Sequence, residues 1–346
     1  MTADRIEFML RKLPLAQSVA VSSIKLPEVK APSLEGLLVD MPTPPDLTVD
    51  DVLRAAENEL SALGAERERQ AGEALERGDT VCVDVLGYSN GRLIPFSARF
   101  DFWMRLQEEP ELPGMLEVIA NAHVGETVVM RFAFPNDYSQ VALRGQPAIY
   151  IVTVKAARSL KRPNPKTATF LKKAGAKSYE DWLKQVTRRL EETQSSALAL
   201  EVQNRVLDAV LARVVVEVPA ELVDEEIRRK WANHEGRAMA ERSFGAAEQQ
   251  EAFEGWLRNA GLRAETQHRL ATALVLRAIV DRDGLTLDPK RGKDLLLTFA
   301  AQAGMDKKTL KAELAKSKML AEEVAQLGLH LVAVDHVMSK AKVKFQ

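Results

Sequence analysis

The chain has 346 residues, 46% hydrophobic and 28% charged, long enough for two or three domains with substantial cores. Lys and Arg total 48 and Asp and Glu 49, a net charge of -1, which argues against a dominant nucleic-acid or anionic-membrane surface. Cys82 is the single cysteine, so no intramolecular disulfide or cysteine metal site can form, and it reads as an inert thiol on a strand. No stretch approaches the roughly 18 uninterrupted apolar residues of a membrane helix. The N-terminus carries early acids and no apolar signal core, so the cytoplasm is the expected compartment.

Residues 1–47 are rich in proline (Pro14, Pro27, Pro32, Pro42, Pro44 and Pro45), which argues against a continuous helix or a central strand. The run from Val19 to Leu26 fits one strand or an extended arm, and the segment is expected to lie on another domain. Thr48 and Asp51 form a capping-box start for a helix whose apolar face is Val49, Val52, Leu53, Ala56, Leu60 and Leu63.

Residues 78–157 are the one β-island. Val81, Val83 and Val85 alternate with Cys82 and Asp84 at strand period, and Ala148 to Lys155 is a second β-branched run. Between them, Glu111 to Ile119 is a proline-glycine turn leading into a short helix, and Val124 to Tyr138 is a strand running into a tyrosine-bearing loop. Residues 159–166, with Pro163 and Pro165, are expected to be a linker.

From Thr167 onward the sequence reads helical. Thr167 to Ala174 makes a short helix stopped at Gly175. Ser178 and Asp181 then start a long one with the seam Leu183, Val186, Leu190, Thr193, Ala197, Leu200, Asn204, Leu207, Leu211 and Val214. Either a projecting arm or an ordinary long antiparallel hairpin fits that spacing. Pro219 suits the first turn of the next helix, roughly residues 220–241, and Gly245, Gly261, Gly284 and Gly304 punctuate the remaining helical sequence. The last helix, near residues 318–341, is apolar at Val324, Leu327, Leu331, Val334 and Val337. The five histidines lack metal-ligand spacing and no Gly-rich phosphate loop occurs, so neither cofactor nor metal is expected.

The β-island resembles the FK506-binding type of prolyl isomerase, as found inside the trigger factor family. The matching features are Leu112-Pro113-Gly114, Val124-Gly125-Glu126, Phe134-Pro135 with Tyr138, and Gly145. The helical part is similar to the same family at Phe170 to Lys173, at Asn204 to Leu211, at Val216 to Ile227 and at Val334 to Val343. The resemblance spans residues 30–343. It implies an α+β protein: a small antiparallel β-domain with one short helix, set before an elongated all-α domain with long helical arms. The expected division is 1–77 as an N-terminal arm and linker helix packing on the helical domain, 78–157 as the isomerase-like domain, and 158–346 as the helical chaperone domain. The family's ribosome-docking sequence, Gly-Phe-Arg-x-Gly-Lys, does not occur in the chain. A form without the N-terminal ribosome-binding domain is therefore expected.

The resemblance implies an ATP-independent chaperone for unfolded or nascent polypeptides, without nucleic-acid or membrane partners and with self-association left open. Two rivals stand beside it: a prolyl isomerase proper, and an assembly adaptor for one dedicated partner. Rotation about an X-Pro bond faces a barrier of roughly 18–20 kcal/mol. An apolar pocket lowers it by excluding water and orienting the amide, with no acid or base required. The resemblance places the pocket at Phe96 or Ile94, Phe102, Leu112, Met115, Tyr138 and Tyr150. Val85 and Met115 stand where the family has aromatic walls, so weak or lost turnover is expected. Client-binding candidates in the helical part are Leu200, Leu207, Leu211, Leu327 and Leu331, as the lining of an exposed apolar cleft.

Overall fold

The computed structural model describes residues 24–106, 115–138, 141–242, 244–288 and 318–346, with positions 290 and 297 between the last two stretches. The chain forms two compact units: residues 46–195 with 231–256, and residues 1–45 with 196–230 and 257–346.

The first unit opens with α1 (Val49–Ala62). Thr48 and Asp51 close the expected capping box: the Thr48 hydroxyl accepts from the Asp51 N–H at 3.2 Å, and the Asp51 carboxylate accepts from the Thr48 N–H at 3.0 Å. The apolar stripe is longer than the contact it makes. Ala55, Ala56, Leu60 and Leu63 pack with Phe170, Trp182 and Val186, whereas Val49 and Leu53, one turn earlier, remain exposed.

The sheet contains β2 (Ala65–Glu68), β3 (Thr80–Ser89), β4 (Arg92–Leu93), β5 (Arg99–Arg105), β6 (Thr127–Ala133) and β7 (Pro147–Lys161), with α2 (Met115–Ala120) after β5. Every pairing is antiparallel. The path is β2-β7-β3-β4, with β5 also on β3 and β6 also on β7. The domain is larger than 78–157. β2 enters the sheet from residues 65–68, and β7 continues through the expected linker to Lys161, where it pairs with Ala65. Arg158 donates to Glu66 at 3.2 Å and lies 4.0 Å from Glu68, so charge pairs flank this strand edge. The buried Arg69–Asp79 pair ties down the intervening loop, with Arg69 Nε at 2.6 Å and Nη2 at 3.1 Å from the carboxylate.

Strand alternation puts Val81, Val83, Val85, Met130, Tyr150, Val152 and Val154 on one face, against Leu116 and Ile119 of α2. Then come α3 (Ala168–Ala174), capped by Thr167 and ended by Gly175 in the left-handed region, and α4 (Tyr179–Leu211). At 33 residues α4 is about 50 Å long. The expected helix over 220–241 is two helices, α5 (Ala220–Asn233) and α6 (Glu235–Glu241), broken at His234. α7 (Ala246–Arg258) comes next.

The second unit is built on the C-terminal part of α4, α8 (Ala260–Asp283) and α9 (Lys318–Lys340). Its core joins Val206, Val210, Val275, Leu276, Ile279, Ala333, Val334 and Val337 to Leu34, Leu37, Val39 and Met41 from the N-terminal segment. Arg213 donates to the carbonyls of Ser33 and Glu35, both at 2.8 Å, and of Gly36 at 3.0 Å, and Arg282 donates to that of Pro32 at 2.6 Å. These bonds satisfy carbonyls of residues 32–36, which lie outside any helix or strand. This unit is not all helix: β1 (Leu38–Met41) pairs in parallel with β8 (Lys342–Phe345). Val19 to Ser23 and Gly304 lie outside the described residues; residues 24–26 are not strand. Gly284 ends α8 at φ 60°, but Gly261 lies inside that helix, whose start is capped by Asn259.

Candidate functional site

The inner face of the β-domain carries an aromatic cluster built by period-two alternation. Met130 and Phe132 on β6, with Phe134 just beyond it, fall on one side, and Tyr150 on β7 is the register partner of Met130. Phe134 sits edge-on to Phe132 at 5.1 Å and 4.5 Å from Tyr138; Phe132 lies 5.7 Å from Tyr150. The loop bearing Tyr138 is closed at its base by paired backbone bonds, Phe134 to Gln146 and Gly145 to Phe134, both at 3.0 Å. Gly145 takes φ 66° there, a conformation that side chains resist. The Arg144 guanidinium donates to the Tyr138 carbonyl at 2.7 Å.

Tyr150 is buried, and burial pushes its phenol up to about 12, with Tyr138 adding to the rise and Arg99 opposing it. It is a neutral phenol at every working pH. Gly87 on β3 faces it across the ladder, and a Cβ there would come within 2.6 Å of the Tyr150 ring. Behind Gly87, the Ser97 hydroxyl accepts from its N–H at 3.1 Å and donates to its carbonyl at 3.0 Å.

Of the six pocket candidates, Tyr138 and Tyr150 come together on this face. Phe102 opposes buried Val83 in register, shares its face and is 36% exposed, at the rim. Phe96 does not join them. Its ring stacks on Trp256 at 4.2 Å, and Ile94, 4% exposed, takes the inward position. Alternation fails here because Phe96 lies in the turn after β4, at φ 68°. Leu112 and the Met115 side chain lie outside the described residues. Phe132, unrecognised in the sequence, was signalled by its place two residues from both Met130 and Phe134.

The helical candidates separate by burial. Leu200 is 50% exposed; Leu207 and Leu211 are half-buried against the core of the second unit; Leu331 is half-buried; Leu327 is 5% exposed. Leu327 is thus a core residue and not part of an open lining, because helical period gives the same spacing to both. Among the described residues no group of three His, Cys, Asp or Glu could hold a metal, and no helix is long and apolar enough to cross a membrane.

Residues 179–339 match the family described as the bacterial trigger factor protein C-terminus. The trigger factor of Actinobacillus pleuropneumoniae serotype 5b (strain L20) is 28% identical over 323 residues, covering 92% of this chain and 70% of that protein. The chain is thus similar to trigger factors along most of its length. The trigger factor of Haemophilus influenzae (strain PittGG) is 26% identical over 324 residues, with 92% of this chain and 71% of that protein covered. These alignments run through the β-domain as well as the helices. A solved structure concerned with promiscuous substrate recognition in the folding and assembly activities of the trigger factor chaperone is 14% identical. It covers 91% of this chain and 73% of its own, with a TM-score of 0.36.

Proposed function

We propose that this chain is an ATP-independent chaperone for unfolded or partly folded polypeptides. Its β-domain is a peptide-binding module with weak or lost prolyl isomerase activity. The observation that carries the reading is the likeness to trigger factors over 92% of the chain, which takes in both the aromatic face and the long helices. The half-exposed rings of Phe102 and Tyr138, beside buried Phe134 and Tyr150, suit an apolar segment with its proline inserted. Buried Val85, smaller than an aromatic ring, leaves one wall less able to grip a twisted amide, which supports weak turnover. Exposed Leu200, with half-buried Leu207, Leu211 and Leu331, is the helical contact proposed for clients, and buried Leu327 is not part of it. The 346 residues contain no Gly-Phe-Arg-x-Gly-Lys sequence, and the same reading has the chain acting without docking on ribosomes.

The test is aggregation of an unrelated chemically unfolded enzyme at equimolar chain without nucleotide, run beside turnover of a short proline peptide. Suppression with slow turnover supports the chaperone. Full turnover lost in Tyr138→Ala would favour the isomerase proper. No suppression, with no binding of a hydrophobic dye, would leave the adaptor.

A further inference from the structure

We propose that Glu235 is a positioning residue for the aromatic face: from the helical segment 231–256 it fixes the loop that backs Tyr150. This rests on the pocket proposed above. The segment and the sheet belong to one compact unit, although 69 residues of chain, 162–230, separate them. Glu235 opens α6 and is 4% exposed, with the Ala98 N–H donating to Oε1 at 3.0 Å and the Phe96 N–H to Oε2 at 3.4 Å. The Trp256 indole N–H also donates to Oε2. One carboxylate therefore holds two backbone donors that flank Ser97, and a third from α7.

Each neighbour of this contact is fitted to it. Phe96 keeps a left-handed backbone, φ 68°, that a non-glycine residue adopts only when its surroundings enforce it. Its ring lies on Trp256 and so is unavailable to a peptide. Pro95 packs on Gly255, where a Cβ would come within 2.6 Å of the proline Cγ. Ala98, Met239 and Ala252 form a small buried cluster beside it, with Leu86, Leu93, Phe100 and Phe244 around them. Arg242 lies 4.2 Å from the centre of the Phe100 ring and pairs with Asp101.

The consequence runs along the chain of contacts. Glu235 sets the backbone of residues 96–98; Ser97 between them clasps both polar groups of the Gly87 backbone; Gly87 in turn is the close neighbour of the Tyr150 ring, leaving no room for a Cβ between them. Without the carboxylate the two amides lose their acceptor and the loop is free to relax from its strained state. The Tyr150 ring then loses a fixed backing, and the pocket its width.

The experiment uses the full chain, wild type and with Glu235→Gln, Glu235→Ala or, as a control on the same helix, Glu241→Gln. Two readouts are taken well below the melting transition. One is the Kd of a fluorescein-labelled apolar peptide with one central proline; the other is the fluorine resonance of 3-fluorotyrosine at Tyr150. Glu235→Ala is expected to weaken peptide binding at least tenfold and shift the resonance. Glu235→Gln, which keeps one acceptor oxygen, should lose three- to fivefold, and Glu241→Gln should change neither. A lowered denaturation midpoint with Kd and resonance unchanged would mean a merely structural role and overturn the proposal. If the wild type does not bind the peptide, or Tyr138→Ala does not weaken it, the pocket assignment has failed. The resonance then decides alone: a shift in Glu235→Ala sustains the positioning role, and no shift ends it.

Discussion

Gly87→Ala isolates the closest contact of the aromatic face. At most strand positions alanine would be an improvement, by about 0.5–1 kcal/mol, because glycine loses more backbone freedom on folding. Gly87 is different, since its added Cβ would stand 2.6 Å from Tyr150 Cζ, 2.7 Å from Cε1 and 3.0 Å from the Ser97 Cβ. Real carbon contacts do not come so near, and the obstacle is a ring packed among Phe132, Phe134 and Tyr138. Overpacking of this kind costs about 1–3 kcal/mol. A contact as close as 2.6 Å belongs at the upper end, and about 3 kcal/mol less the alanine gain leaves a net loss of about 2 kcal/mol, a factor of roughly 30 in the folded-to-unfolded ratio. Urea denaturation of wild type, Gly87→Ala, Tyr150→Leu and the double variant gives the pairwise term directly. Leucine has no atom in the place of Cζ, so Gly87→Ala should cost almost nothing in the Tyr150→Leu background, with a coupling of at least about 1 kcal/mol. Gly87→Ala equal to or more stable than wild type, or equally costly in both backgrounds, would refute the argument.

Trp182→Ala should cost about 3–5 kcal/mol by thermal denaturation. The side chain is 1% exposed, edge-on to Phe170 at 5.1 Å, and joins α1 to α3 and α4. His330 is held below its ordinary pKa by burial, and its Nδ1 has no partner. Its contribution to stability is present above the unfolded value of about 6.5 and lost as pH falls through the lowered folded value. Urea midpoints should therefore drop on mild acidification, and more steeply in wild type than in His330→Leu. Glu235 has the opposite linkage, because burial raises its pKa above the usual carboxylate range. Its contribution is fully present below about pH 4.3 and is lost as pH rises through the raised folded value, a slope that Glu235→Gln should flatten. Co-sedimentation of the 346-residue chain with ribosomes at physiological salt is expected to fail; salt-resistant pelleting would point to a docking surface unlike the Gly-Phe-Arg-x-Gly-Lys loop.

The features that the sequence determined by itself are local. Thr48 with Asp51, Thr167 with Gly175, and Ser178 with Asp181 mark helix ends because capping joins residues three or four apart, or turns on one backbone angle. The inner face of the sheet follows from strand period, which also sets Tyr150 on the face that Tyr138 packs against. Tertiary structure decided whatever depends on partners distant in the chain. β2 has no strand-like sequence, since Ala65 to Glu68 is mostly charged, and it is a strand because β7 offers it an edge. Residues 158–161 belong to the sheet for the same reason. The withdrawal of Phe96 from the pocket needs Trp256 and Glu235, which lie on helices more than a hundred residues further along the chain. Leu327 and Leu200 have the same apolar character and the same period, yet one is core and the other open. Periodicity fixes which way a side chain points from its own helix; only the neighbouring elements decide whether anything is there to cover it.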